Sequence, residues 1–152
     1  MRSMPTRETL KKKFCREIDR RRDEIIATAL KVLDNPETGF REVKTSRLVS
    51  EIFSSLGLAH ESGLALTGVK GVLSGSESGP GVAILGELDA LTVPDHPRAD
   101  PQTGAAHACG HHAQIGMLIG AAMGFASSKV LSSLSGRVIF MAVPAEEYIE
   151  IQ

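Results

Sequence analysis

Two short, unbroken apolar runs, Val82-Ala83-Ile84-Leu85 and Val138-Ile139-Phe140-Met141-Ala142-Val143, most constrain how this chain folds. Runs of that length with no polar alternation read as buried strands, the first of them central in its sheet. Between them, residues 111–126 form an apolar, glycine-studded helix. Upstream, Leu10, Phe14, Ile18, Ile25, Ala29 and Leu33 recur at near-helical spacing, which predicts one long amphipathic helix over residues 6–34. Asn35-Pro36 ends it, because the residue before a proline is pushed out of the helical region. A second helix is expected over 42–56, burying Val43, Leu48, Val49, Ile52, Phe53 and Leu56, with Gly57 as its stop. Residues 58–74, broken by Gly63, Gly68 and Gly71, suit a small strand pair. Residues 74–81 read as a turn, and the proline-bearing stretch from residue 92 to 108 as a structureless loop. Helices, strands, helix, strand: this order predicts an α/β layer structure.

Composition bounds the partners. A chain of 152 residues with 42% hydrophobic and 23% charged side chains can bury a core of its own. A net charge of −1 gives no bias toward nucleic acid or an anionic membrane surface. The basic residues near the N-terminus alternate with Glu8, Glu17, Asp19, Asp23 and Glu24, as on a solvated helix face. No run has the apolar length of a membrane span, and the N-terminus lacks the pattern of a secretion signal. Two distant cysteines, Cys15 and Cys109, give no disulfide framework, and a reducing, cytoplasmic setting is expected.

Both polar motifs follow the apolar runs, where open α/β sheets place their sites. Ala106-His107-Ala108-Cys109-Gly110-His111-His112 gathers three of the five histidines beside a thiol. A helix N-terminus favours the thiolate, the form that binds metal. Taken alone, Cys-x-His is a weak signal that reads first as a buried cysteine beside a surface histidine, and Glu146-Glu147 reads equally as an acidic helix start. Read functionally, one of two neighbouring carboxylates binds a metal and the other takes a proton from water. Asp89, at a strand end, is then placed to orient a ligand, where otherwise it is a turn residue.

His107-Ala108-Cys109-Gly110-His111, Glu87-Leu88-Asp89-Ala90-Leu91 and Pro144-Ala145-Glu146-Glu147 occur together with Asn35-Pro36-Glu37-Thr38-Gly39-Phe40-Arg41-Glu42. In order and spacing this set resembles the amidohydrolase branch of the aminoacylase/carboxypeptidase family of dinuclear zinc metallopeptidases. That branch includes hippurate, indole-acetyl-amino-acid and aminobenzoyl-glutamate hydrolases. The resemblance covers essentially the whole chain.

The resemblance implies a mixed sheet flanked by helices, part of a zinc-exopeptidase-like catalytic domain. It implies Cys109, His111 and Glu147 as metal ligands, Glu146 as general base, and Asp89 as an acidic support of the site. The implied reaction is cleavage of an N-acyl amino acid or similar small amide by metal-activated water. Two divalent cations, zinc or manganese, and a homo-oligomeric complete enzyme are implied as well. Two departures stand out. The family often has Asp or Asn where this chain has His112, so His112 and His107 keep open roles. Family members are also longer, with a lid and dimerisation domain and two more histidine ligands downstream. Residues 1–152 are therefore expected to be an N-terminal, truncated part of the catalytic domain, doubtful as an enzyme alone. The competing readings are a non-enzymatic remnant that binds metal or a partner, and a thiol hydrolase using Cys109.

Overall fold

The computed structural model describes residues 5–148. Helices α1 (Arg7–Arg20), α2 (Arg22–Leu33) and α3 (Val43–Ser55) come first, followed by strands β1 (Ala59–Leu64), β2 (Gly68–Ser74) and β3 (Glu77–Glu87). The short strands β4 (Leu91–Thr92) and β5 (Ala105–Ala106) lead to helix α4 (His111–Ser128). A 3-10 turn (Val130–Ser133) then feeds β6 (Ser135–Val143). The main sheet has the order β1-β2-β6-β3. β2 pairs antiparallel with both β1 and β6, while β3 runs parallel to β6. The sheet is thus mixed, as expected.

The core lies between this sheet and its helices. Phe53 and Val49 from α3, Ile115, Leu118, Ile119 and Met123 from α4, and Phe140 from β6 are all within 1% of complete burial. Phe140 meets Phe53 and Phe125 with ring centroids 6.2 and 6.3 Å apart, so one aromatic links the two helices to the sheet. The glycines of α4 admit its neighbours. A methyl group on Gly116 would stand 2.9 Å from Ala29 Cβ, and one on Gly124 would stand 2.6 Å from the Phe14 ring.

Five expectations need correction. The long first helix is two, broken at Arg21 (φ −102°, ψ 13°). The break falls in Asp19-Arg20-Arg21-Arg22-Asp23-Glu24, where no apolar side chain continues the buried stripe. Val43 is 64% exposed at the first turn of α3, outside the face that carries Val49 and Phe53. Residues 77–81, read as a turn, belong to β3. Among the described residues, β3 is also an edge strand rather than a central one, with Val82 61% and Leu85 57% exposed. An edge position accommodates Pro80, which has no N–H to give a neighbour. Finally, the loop to residue 108 is tied at both ends, since Leu91 and Thr92 pair with Ala106 and Ala105.

Gly71 on β2 sits under the tightest part of the core. A methyl group there would collide with Leu58 Cδ2 and stand 3.0 Å from the Phe53 ring. Both neighbours are buried and cannot withdraw into solvent. Gly71→Ala is expected to lower stability by about 1–3 kcal/mol, read as an earlier midpoint in urea unfolding. An unchanged midpoint would show that Leu58 repacks freely.

Candidate metal centre

Three chain segments converge at the C-terminal ends of β3 and β6. β3 delivers Glu87 and, two residues on, Asp89. β6 ends at Val143, and the turn beyond it carries Glu146 and Glu147. Between the two strands the chain enters α4 through Cys109-Gly110-His111. Gly110 caps that helix at φ +99°, and a Cβ there would meet nothing within 4 Å. Glycine is needed at that position for its backbone conformation and not for space.

His111 is the centre of the arrangement and only 2% exposed. Its Nδ1 lies 2.9 Å from the Asp89 carbonyl oxygen, which can only accept, so Nδ1 donates and Nε2 points the other way. Nε2 lies 2.9 Å from Glu87 Oε2, 3.7 Å from Glu147 Oε1 and 3.8 Å from Glu146 Oε2. One ligand atom each from Cys109, His111 and Glu147 falls within 4.8 Å of the others, and the same holds for Glu87, His111 and Glu146. All five residues singled out in the sequence thus lie in this neighbourhood, with Asp89 accepting the Glu147 N–H at 2.9 Å through Oδ2. Asp89 Oδ1 is buried without a hydrogen-bond partner.

The electrostatics overturn one expectation. The hydrogen bond to Glu147 pushes the Cys109 thiol up to about 11, helped by partial desolvation and the charges of Glu147, Glu146 and Glu87. Without a cation the carboxylates outweigh the helix N-terminus, and Cys109 is a thiol at neutral pH. A thiolate nucleophile activated by histidine is therefore disfavoured.

Some contributors escaped the sequence reading. Glu87 carried no assigned role, although period-two alternation places it on the same side as Asp89. Gln114, one helical turn after His111, donates from Nε2 to Glu87 Oε2 at 2.8 Å. His107 and His112 face each other with ring centroids 5.7 Å apart, and neither joins the two clusters. Beside the centre lies a cavity of about 510 Å³, lined in part by Phe40, Arg41, Asp89, Thr92, Glu147 and Tyr148.

Residues 83–150 match the model of peptidase family M20/M25/M40. Over those residues the chain carries a peptidase M20 domain. Among curated relatives, thermostable carboxypeptidase 2 of Saccharolobus solfataricus is 38% identical over 129 residues, covering 82% of this chain and 32% of that protein. IAA-amino acid hydrolase ILR1-like 5 of Arabidopsis thaliana is 34% identical over 128 residues, covering 82% of this chain and 29% of the hydrolase. Among solved structures, the Bacillus subtilis YXEP protein, a dinuclear metal-binding peptidase of the M20 family, superposes with a TM-score of 0.72 at 30% identity. That match covers 82% of this chain and 36% of the YXEP chain. The M20 segment described here thus spans about a third of the length of the curated relatives it matches.

Proposed function

We propose that residues 1–152 form the N-terminal part of the catalytic domain of a metal-dependent amidohydrolase that cleaves N-acyl amino acids or similar small amides. The observation that carries this reading is the convergence of Cys109, His111 and Glu147 on one point. The donor set fits a divalent cation. A ring nitrogen, a sulfur and several carboxylate oxygens crowd together with one amide N–H of Gln114 between them, and Asp89 Oδ1 is buried with no hydrogen bond, 3.3 Å from His111 Nδ1. Fixed acceptors in such excess are reconciled by positive charge. The relatives point the same way, one being named an N-acyl-L-amino acid amidohydrolase, from Geobacillus stearothermophilus.

Cys109, His111 and Glu147 would hold the cation, with Glu87 close enough to His111 to help seat a second. Sulfur and imidazole together favour zinc, and the surrounding carboxylates also suit manganese. When bound, such ions polarise an amide carbonyl and acidify water. The protein's own part follows from its geometry. The Asp89 carbonyl fixes the His111 ring, and the Asp89 carboxylate fixes the backbone of Glu147. Glu146, half-exposed and 3.8 Å from His111 Nε2, is free to take the proton of the attacking water and return it to the leaving amine. The adjoining cavity offers space for the substrate. Two free cysteines support a reducing, cytoplasmic location, and the complete enzyme is proposed to be a homo-oligomer. Among the described residues no helix is long and apolar enough to cross a membrane.

The test is titration of the chain with zinc and with manganese, followed by assay against a panel of N-acyl amino acids. Saturable metal binding by these residues is expected, with metal-dependent hydrolysis in the longer protein that completes the catalytic domain. Glu146→Gln should keep the metal and lose about 10²–10⁴-fold in rate. Binding no tighter than that of a Cys109→Ala/His111→Ala double variant would refute the centre. A metal-bound longer protein with no turnover would favour the non-enzymatic reading.

A further inference from the structure

Glu42 is completely buried, yet no ion pair among the described residues includes it. It occupies the N-cap position of α3 without capping that helix. Glu37 serves there instead, accepting the N–H groups of Lys44 and Thr45 at 3.0 and 2.9 Å and the Thr45 hydroxyl at 3.0 Å. The Glu42 carboxylate is thereby released from helix capping and turns inward. Oε2 accepts the Thr67 hydroxyl at 2.7 Å, and Oε1 accepts the Ala145 N–H at 2.8 Å, across a separation of 103 residues.

Ala145 is the residue before the glutamate pair and has φ +55°, a left-handed conformation that is unfavourable for a non-glycine residue. A turn of that kind persists only where its surroundings hold it. Gly39 packs against it, since a Cβ there would stand 3.0 Å from Ala145 Cβ. Glu42 grips its backbone on the N-terminal side, and Asp89 grips Glu147 N on the other.

We propose that Glu42 is a positioning residue for the Glu146-Glu147 pair, its buried carboxylate, anchored by Thr67, locking the left-handed turn that presents both side chains to the centre. This rests on the proposed metal site only for its second readout. The first is hydrogen exchange of the metal-free chain. Glu42→Ala should speed exchange of the Ala145 amide and, at least about tenfold, of the Glu147 amide, which Glu42 does not touch. Glu42→Gln should restore both, because its amide oxygen accepts from Ala145 and its NH₂ donates to the Thr67 hydroxyl. The second readout is zinc affinity by competition with a chromophoric chelator. A loss of about 10–100-fold is expected in Glu42→Ala, with recovery in Glu42→Gln.

A Glu147 amide unchanged in Glu42→Ala would overturn the proposal, as would a Glu42→Gln variant no better than alanine. If the wild-type chain bound no zinc, the metal reading would fall while hydrogen exchange still decided the role of Glu42. Should Glu42→Ala not fold, Thr67→Val removes the anchor alone. It should speed Glu147 exchange about threefold, and no change there would count against the lock.

Discussion

Replacing His111 with alanine is expected to weaken zinc binding by more than about 100-fold. The ring lies within 3.8 Å of Glu87, Glu146 and Glu147. It belongs to both candidate ligand clusters, and its Nδ1 is committed to the Asp89 carbonyl, so Nε2 is the nitrogen left to bind. Burial to 2% exposure means that water cannot replace it without rearrangement. Cys109→Ser should also weaken binding, since a hydroxyl is a poorer zinc ligand than a thiolate. The thiol sits at about 11 in the metal-free state, so metal binding there must release its proton, and affinity should rise with pH. Isothermal titration at two pH values measures both effects. A His111→Ala affinity within threefold of wild type would move the centre away from this ring. His112→Ala serves as the contrast, because His112 lies in neither cluster and its loss should leave affinity within a few fold.

Much of this centre was legible because its chemistry is local in sequence. Cys109 and His111 flank a single glycine, Glu146 and Glu147 are adjacent, and each group follows an apolar run that reads as a strand. Alternation along β3 links Glu87 to Asp89 in the same way, though it says nothing of which carboxylate faces a metal. What stayed hidden is contact between distant segments. The bond from Glu42 to Ala145 is set by how α3 sits on the sheet, and periodicity carries no trace of it.

The fold divides along the same line. Val49 and Phe53 follow from helical spacing, whereas the edge position of β3 depends on strand order. A run such as Val82–Leu85 has the same composition in either place. The break at Arg21 was visible only as a gap in the stripe. One continuous helix and two short ones share that pattern until α4 packs against them.

His107 shows a physical consequence that clustering in the sequence does not reveal. It is 5% exposed, and neither ring nitrogen has a hydrogen-bond partner. Desolvation first, then the neighbouring His112 and His111, push it down to about 4, against the opposing pull of Asp89. In the unfolded chain a histidine titrates near 6.5. Between those values the unfolded state binds a proton that the folded state refuses, so stability falls as pH falls. Above pH 6.5 both states are neutral and nothing is lost. By pH 4 the metal-free chain should have lost up to about 3 kcal/mol through this group, more than a hundredfold in the folding equilibrium. The group is isolated by comparing urea unfolding of wild type with His107→Phe at pH 7, 5.5 and 4. Other titrating groups largely cancel in that difference, and the variant should gain on wild type as pH drops. His112, also pushed down, remains in both proteins. A difference that stays flat from pH 7 to pH 4 would mean that the folded chain accepts the proton, which requires a partner for His107 in solution.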